Sequence, residues 1–462
     1  MKNNWPKYFI GPLLSILIYF YFDQLSADQR IFLAIFIAVI FNWLLTDIPL
    51  FLTGIFGVTS AVLFGVVGPN EALSPFAHPI IFLFMGGYIL AQGFQKTGLD
   101  KKITSKILDL SFIKGNYFKV SLCFIFISYF FSMWISNTAT TALMLPLILG
   151  LFSKNENLPK KDMSLLLIFV AFASSIGGIT TPVGSTPNAI ALGLLNTNSI
   201  EYPSFIEWIF KLLPISLTLL CFLFFIVYIK VDKKVEIQTD HQVFKIFKKD
   251  LYLILVFLLV VALWTLPGIT KILAPSLINS QIIKSMNTGV VAILGSCLLF
   301  IFPLEEKTKI LEISDLNKID WPSLLLFGAG LSLGKILFSC GLASIISSKL
   351  ILLFDNYSFF TVMSIIFCFT IFFTEISSNT ATANILIPII ISICLKLGLS
   401  PLYPVIFVAT ACSLAFMLPV ATPPNAIVYG TGHINKNTMI KYGLILNILS
   451  IIVLAFAFNF YN

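Results

Sequence analysis

Two copies of one short polar run lie within very apolar stretches of this sequence. SNTAT begins at Ser136 and again at Ser378, and a proline follows each copy at the same spacing, at Pro146 and Pro388. The hydroxyls and the amide supply hydrogen-bond donors and oxygen ligands without any fixed charge. At the turn of a helical hairpin, the second arm would offer free N–H groups to an anion, and the first arm would offer free carbonyls to a hard cation. Each turn is therefore predicted to hold an anion and a monovalent cation side by side.

A second repeated motif predicts an interrupted helix in each half of the chain. TPVGSTPNAI covers residues 181–190, and LPVATPPNAI covers residues 418–427. Proline removes a backbone donor and frees a carbonyl one turn earlier, so repeated prolines break a helix. The breaks carry small residues that allow close approach of backbone: Gly184, Ser185, Ala421 and Thr422. We expect two broken helices that face the two hairpin turns.

The composition is that of a membrane protein. Of the 462 residues, 58% are hydrophobic and only 11% are charged, whereas soluble domains carry about 25% charged residues. Apolar runs long enough to cross a bilayer recur from end to end. The runs are continuous rather than alternating, which argues against a β-barrel. We predict an all-α polytopic membrane protein with about 11 transmembrane helices and two re-entrant helical hairpins.

Three stretches recur in the same order, which indicates two homologous halves. Besides SNTAT and the proline motif, FLFMGGYILAQGFQKTGL at 82–99 matches LLFGAGLSLGKILFSCGL at 325–342. The predicted division is an N-terminal helix and leader (1–30), a first repeat (31–229), a basic linker (230–250) and a second repeat (251–462). Within the repeats we predict hairpins at 118–153 and 358–399, and broken helices at about 164–194 and 403–430.

Lysine positions predict that the two repeats are inverted. Many lysines flank segment 118–153 on both sides, which is typical of cytoplasmic loops. Segment 358–399 has only Lys349 before it and Lys396 near its end, so its flanks are predicted to be extracytoplasmic. Inverted repeats with broken helices are typical of secondary transporters. The same rule explains the net charge of +8 without nucleic-acid binding. It also places the linker in the cytoplasm, where we expect the N-terminus as well.

Few other residues have types suited to chemistry. The seven cysteines are scattered singly, with no Cys/His cluster, so disulfide and metal sites are not predicted. Glu375, three residues before the second SNT run, is the notable charge within an apolar run. Intramembrane charges are functional by default, and Glu375 could support the cation site or pair with a backbone donor near the turn.

With these motifs the chain resembles the divalent-anion:sodium symporter family, the di- and tricarboxylate transporters. The resemblance rests on the paired SNT runs, TPVGSTPNAI and FMLPVATPPNAIVYG. It implies a homodimer in which each protomer has a scaffold domain and a transport domain that moves across the membrane like an elevator. It also implies Na+-coupled uptake of C4-dicarboxylates such as succinate, malate and fumarate, with Na+ as the coupling ion and no organic cofactor.

The resemblance also implies the ligands of each site. The first sodium site would use Ser132, Ser136, Asn137 and Gly184, and the second would use Thr374, Ser377, Asn379 and Ala421. The substrate carboxylates would meet both SNT runs and the broken helices, at Ser136, Asn137, Thr138, Ser185, Ser378, Asn379, Thr380, Thr422 and Pro423. Thr186 stands where the second half has Pro423, and Ser377 stands where the family often has a smaller residue. Both differences leave the substrate preference open.

We therefore expect a multi-pass protein of a bacterial plasma membrane that transports small dianions and is not an enzyme. A sodium-independent dicarboxylate exchanger of the 2-oxoglutarate/malate type remains an alternative, because exchangers can keep SNT. The alternative of another class is an anion channel or an intramembrane enzyme. An enzyme would need a nucleophile–base pair or a metal cluster, and the apolar runs lack paired acids and histidines. The sequence leaves citrate and sulfate open as further substrates.

Overall fold

The computed structural model describes residues 6–155, 157–238, 247–277, 280–301, 303–305, 308–354 and 356–461. These residues are helical almost throughout. The α-helices are α1 (Pro6–Tyr21), α2 (Ala27–Leu45), α3 (Leu50–Leu63), α4 (Pro69–Leu73), α5 (Pro79–Thr97), α6 (Leu99–Leu108), α7 (Tyr117–Ser132), α8 (Asn137–Lys154), α9 (Lys160–Gly178), α10 (Thr186–Thr197), α11 (Phe205–Lys230), α12 (Lys248–Leu273), α13 (Gln281–Ser285), α14 (Thr288–Ile301), α15 (Trp321–Ser339), α16 (Leu342–Leu353), α17 (Phe359–Ile376), α18 (Asn379–Lys396), α19 (Leu402–Cys412), α20 (Pro423–Tyr429) and α21 (Lys436–Tyr461). Short 3-10 helices cover Ser74–Ala77, Pro275–Leu277 and Ile313–Lys318, and one antiparallel pair joins β1 (Pro303–Glu305) to β2 (Thr308–Lys309).

The predicted class, an all-α polytopic membrane protein, is confirmed. In the described ranges, nine helical segments are long and apolar enough to cross a membrane. The β1–β2 pair is a small addition to the helical fold. Helix α2 already begins at Ala27, before the expected repeat boundary at 31. The predicted linker 230–250 lies partly outside the described residues, and α12 begins within it at Lys248.

The order of elements repeats along the chain. The segments α5–α11 and α15–α21 each contain a long helix, a shorter helix, a two-armed hairpin, an interrupted helix and a long final helix. Helix α14 packs along α5 of the first half, whereas α3 packs along α15 of the second half. The two halves are therefore intertwined rather than side by side.

The helices that carry the breaks lie at the centre of the molecule. In the membrane-length stretch of α9, 94% of the residues are buried although the mean hydropathy is only 1.4, whereas in that of α11 39% are buried and the mean hydropathy is 2.6. Higher burial of the less apolar helix is expected in lipid, because small and polar side chains face other helices and the most apolar side chains face the acyl chains. Hairpin α7–α8 packs on α9, and hairpin α17–α18 packs on α19.

Candidate functional site

The first SNT run lies at the turn between the two arms of a hairpin. Helix α7 ends at Ser132, and α8 begins at Asn137. Ser136 is the N-cap of α8, and its Oγ accepts a hydrogen bond from the backbone N–H of Ala139 at 3.2 Å. A serine N-cap fixes the helix start but leaves other N–H groups of the first turn without intrahelical partners. These N–H groups can serve an anionic ligand.

The second SNT run has the same local structure. Helix α17 ends at Ile376, and Ser378 is the N-cap of α18 with its Oγ 3.5 Å from the backbone nitrogen of Ala381. Both hairpins therefore begin their second arm at the asparagine of SNT, because the same serine occupies the capping position. The repeated sequence produces two equivalent helix N-termini.

Both turns line one cavity of about 1290 Å³. All nine residues that the resemblance assigns to the substrate lie in its wall: Ser136, Asn137, Thr138, Ser185, Ser378, Asn379, Thr380, Thr422 and Pro423. Gly184, Ser377 and Ala421 of the two sodium sets also line it. Ser132 and Thr374 lie behind the wall and are fully buried. The fold thus gathers residues of both halves around one space.

An oxygen cluster lies behind the first turn. The Oγ of Ser132 is 2.7 Å from Oδ1 of Asn137. With the Asn137 amide reversed, its nitrogen donates to Ser132 Oγ at 2.7 Å, to the Gly184 carbonyl at 3.1 Å and to the Ser174 carbonyl at 3.2 Å. In both orientations the amide is surrounded by oxygens, the ligand type that hard cations prefer. A Cβ at Gly184 would lie 2.9 Å from the Ser132 carbonyl oxygen, so a larger residue would crowd the cluster.

The corresponding cluster behind the second turn has the same chemistry. Oγ1 of Thr374 lies 2.8 Å from Oδ1 of Asn379 and 2.9 Å from the Cys412 carbonyl oxygen. Oγ of Ser377 is buried without a hydrogen-bond partner among the described residues, and Ser377 and Ala421 both line the cavity. A buried hydroxyl without a partner fits a position where a ligand supplies the missing contact.

Two asparagines that the sequence reasoning missed hold the interrupted helices. Asn188 Nδ2 donates to the carbonyls of Gly178 at 3.0 Å and Thr181 at 2.8 Å. Asn425 Nδ2 has the equivalent contacts, at 3.4 Å to Ala415 and 3.1 Å to Leu418. The repeated Pro-Asn pair could have indicated this role in the sequence. An asparagine amide near helix-breaking prolines can supply the donor that a proline lacks. The carbonyls of Ser174 and Cys412 had no such signal.

The two halves contact each other through hydroxyl pairs at the cavity. Ser185 Oγ lies 2.7 Å from Ser413 Oγ, and Thr186 Oγ1 lies 2.8 Å from Thr380 Oγ1. Thr186 and Thr380 both line the cavity. The first broken helix is thus tied to the second hairpin, and a ligand between the turns would meet both halves at once.

The charged side chains of the cavity wall lie outside the two turns. Among the described residues they are Lys318 and Asp320. Lys318 Nζ is 3.0 Å from Asp315, which also pairs with Lys96 at 2.6 Å. Burial alone would raise the pKa of Asp315, but hydrogen bonds from Lys96, the Glu312 backbone and Lys318 outweigh it and lower this pKa to about 2. A dianion at the turns would therefore meet neutral donors.

The hairpins and broken helices around a shared cavity define a membrane transporter. A family model described as "Sodium:sulfate symporter transmembrane region" matches residues 3–462, and the chain belongs to this family. The resemblance to the divalent-anion:sodium symporters is thereby confirmed.

Relatives match the chain over most of its length. The "Sodium-dependent dicarboxylate transporter SdcS" of Staphylococcus saprophyticus is 31% identical, and the match covers 98% of this chain and 90% of the relative. An "Uncharacterized transporter" of Haemophilus influenzae is 35% identical over 93% of this chain and 91% of its own length.

Solved structures share the fold at low identity. The Alcanivorax borkumensis YdaH transporter is 14% identical with a TM-score of 0.54, and the match covers 84% of this chain and 86% of that chain. Neisseria gonorrhoeae MtrF is 12% identical with a TM-score of 0.56, over 96% of each chain. At these identities the likeness concerns the fold alone.

Proposed function

We propose that this protein is a Na+-coupled symporter that takes up C4-dicarboxylates such as succinate, malate and fumarate across a bacterial plasma membrane. The observation that carries this proposal is that the SNT turns of both halves line one cavity with neutral donors and oxygens. A substrate with a carboxylate at each end fits two equivalent helix N-termini. The staphylococcal relatives are named sodium-dependent dicarboxylate transporters, which supports the same substrate class and ion.

The oxygen clusters behind the turns supply the chemistry for coupling. Na+ would be held at the first turn by Ser132, Ser136, Asn137 and Gly184, and at the second by Thr374, Ser377, Asn379 and Ala421. The site has no basic side chain at the turns, so bound cations supply the positive charge that attracts a dianion. Each ligand then raises the affinity of the site for the other, which is the thermodynamic basis of symport.

An asymmetry between the halves supports transport by an elevator movement. Helix α15 packs against α10 and α18, whereas in the described residues its repeat counterpart α5 does not pack closely against the matching helices α20 and α8. Tyr88 and Gln92 of α5 line the cavity instead. Ala142 of α8 faces the same cavity. If α5 took the packing that α15 has here, and α15 took that of α5, the cavity would close on one side of the membrane and open on the other. In this proposal α7–α11 and α17–α21 form the transport domain, and the remaining long helices form the scaffold.

Charge distribution supports an orientation for the cavity. Lys318 of the cavity wall and Lys96 meet at the same carboxylate, Asp315. Lys96 precedes a lysine-rich segment that the positive-inside rule assigns to the cytoplasm. We infer that this cavity faces the cytoplasm and that the N-terminus lies there too. A reporter that is active only in the cytoplasm, fused to the N-terminus, tests the orientation.

We also propose that the protein is a homodimer, as the family resemblance implies. Light scattering of the purified protein, corrected for detergent, should give twice the chain mass of 51.4 kDa. The mass of one chain would contradict the dimer.

Uptake into proteoliposomes tests the proposed function. Radiolabelled succinate should accumulate only when an inward Na+ gradient is present, and replacement of external Na+ by choline should abolish accumulation. Uptake that ignores Na+ but is stimulated by dicarboxylate inside the vesicles would identify an exchanger instead. Currents far above the turnover of a carrier would identify a channel. Unlabelled sulfate and citrate, added as competitors, test whether these anions share the site.

A further inference from the structure

Glu375 is a buried carboxylate with an unusual set of partners. Its side chain is only 3% exposed. Oε1 accepts hydrogen bonds from the backbone nitrogens of Phe416 and Met417, both at 2.7 Å, and Oε2 accepts one from Leu418 at 2.9 Å. Three consecutive backbone N–H groups form a concave nest that suits an anion. Here the anion is part of the chain itself.

A fourth contact extends this arrangement to the last helix. Asn447 Nδ2 of α21 donates to Oε1 of Glu375 at 2.7 Å. The carboxylate therefore joins hairpin arm α17, the interruption between α19 and α20, and α21. Hydrogen bonds to a charged acceptor are about twice as strong as neutral ones, so one side chain fixes three elements. The sequence left two roles open for Glu375, and the contacts of the described residues favour the pairing with backbone donors.

The segment that Glu375 holds belongs to the second oxygen cluster. Residue Thr374, next in the chain, contacts both Asn379 and the Cys412 carbonyl. Asn425 binds the Leu418 carbonyl, and Leu418 donates its own N–H to Glu375. Movement of this interruption would displace the Cys412 carbonyl and the Ala421 backbone together. The position of these oxygens therefore depends on the carboxylate.

In the first half, the corresponding hairpin arm, interruption and last helix are connected without a charged side chain. The residue three positions before its SNT run is Met133, which has no polar side chain. Instead, Tyr129 of α7, Thr180 at the first interruption and Ser216 of α11 form a buried hydroxyl cluster, with Tyr129 and Ser216 2.8 Å apart and Thr180 and Ser216 2.9 Å apart. Hydrogen bonds thus join the corresponding elements in both halves. Among the described residues, only those of the second half involve a carboxylate.

We propose that Glu375 is the positioning residue of the second cation site, and that it makes the two cation sites unequal. The proposal rests on the proposed function, because it assigns Glu375 to a site of the coupling ion. The carboxylate holds the carbonyls of the interrupted helix toward Asn379 and leaves a fixed negative charge beside the second turn, where the first half has Met133 at the matching position. Both carboxylate oxygens are occupied by donors, so Glu375 acts through the backbone and not as a ligand.

The experiment compares Glu375→Gln and Glu375→Ala with the wild type. In Glu375→Gln the remaining oxygen can still accept from the three groups that donate to Oε1 in the wild type. The NH₂ group replaces Oε2, so the hydrogen bond from the Leu418 N–H is lost together with the negative charge. Loss of one charged hydrogen bond corresponds to about a tenfold change in an equilibrium constant. We expect Glu375→Gln to raise the half-saturating Na+ concentration of succinate uptake about tenfold, with a smaller change in maximal rate. Glu375→Ala should have a larger effect.

Tyr129→Phe is the matched control, because it removes a buried hydroxyl from the corresponding tie of the first half. It should lower the melting temperature but leave the half-saturating Na+ concentration within about twofold. Wild-type Na+ dependence in folded Glu375→Gln, or equal shifts in Glu375→Gln and Tyr129→Phe, would overturn the proposal. If Glu375→Ala does not fold, Glu375→Gln alone decides.

A second readout separates this proposal from the proposed function. Thermal stabilisation of the purified protein by Na+ measures cation binding without transport, and Glu375→Gln should shift its midpoint by the same factor. A wild type that Na+ stabilises but that does not transport succinate would refute the substrate while leaving the role of Glu375 testable. A wild type that Na+ neither stabilises nor drives would refute both.

Discussion

Replacement of the SNT asparagines is the perturbation that probes the site most sharply. Asn137→Ala and Asn379→Ala each remove the amide that stands between the cavity and an oxygen cluster. We expect each variant to abolish transport while the protein remains folded and dimeric, because the amide contributes to the cation cluster and to the substrate wall at once.

The structure sets the size of the effect. The Asn137 amide nitrogen, in its reversed orientation, has three oxygen partners at 2.7, 3.1 and 3.2 Å. At about 1 kcal/mol for each hydrogen bond, Asn137→Ala removes about 3 kcal/mol of the free energy that holds the oxygens of this cluster in place. A cation must then reorder the cluster as it binds, so its affinity should fall by up to about a hundredfold. Because cation and substrate affinities are coupled, uptake at ordinary substrate concentrations should fall below detection.

The assay is Na+-driven succinate uptake into proteoliposomes, with Asn384→Ala as the matched control. Asn384 lies on α18 like Asn379 and is 2% exposed, but it packs against Gly330 and its amide has no hydrogen-bond partner among the described residues. Asn384→Ala should keep at least half of wild-type uptake, since it removes no hydrogen bond. Wild-type uptake in Asn137→Ala or Asn379→Ala, or equal loss in Asn384→Ala, would refute the reasoning.

Three further predictions concern other contacts. Thr186→Val keeps the shape of the cavity wall but removes a hydroxyl, and it should raise the KM for succinate about fivefold without lowering kcat, measured by initial uptake rates. Lys102→Met should lower the free energy of unfolding by about 3–5 kcal/mol, because it leaves Asp250 buried and unpaired; thermal melts beside Lys106→Met check this. Burial raises the pKa of Asp315, but the Lys96 hydrogen bond and its other donors lower it from 3.8 to about 2. The stability that this carboxylate contributes is therefore complete above about pH 4 and is lost as the pH falls toward 2; an acid titration of Asp315→Asn should lack this loss.

The sequence was most informative where one residue type had a single physical use. Serine at the start of a helix caps it, and proline removes a backbone donor, so the repeated SNT and proline motifs predicted where helices would begin and break. Duplication added weight, because a chance polar run does not recur beside a second matched motif. The same duplication led us to expect two broken helices facing the two hairpin turns, and residues of all four elements line one cavity.

Other parts of the site carried no readable signal. The Ser174 and Cys412 carbonyls join the oxygen clusters through backbone atoms, which any residue type could supply. The partners of Glu375 are three backbone N–H groups and Asn447 on α21. These partners are far from Glu375 in the sequence, so no local pattern indicates the contacts. The short helices α6 and α16 follow long spans directly, after Gly98 and Gly341 in the left-handed region. Both helices are shorter than the about 20 residues of a membrane span, and α6 also carries one acidic and three basic residues, so hydropathy alone does not reveal them.

Equilibrium binding of radiolabelled succinate to the purified protein tests the central claim most directly. The account predicts one succinate per chain in Na+, none in choline, and loss of binding in both Asn137→Ala and Asn379→Ala, because both turns form one site. Two independent succinate sites per chain, or binding that survives in either variant, would contradict it.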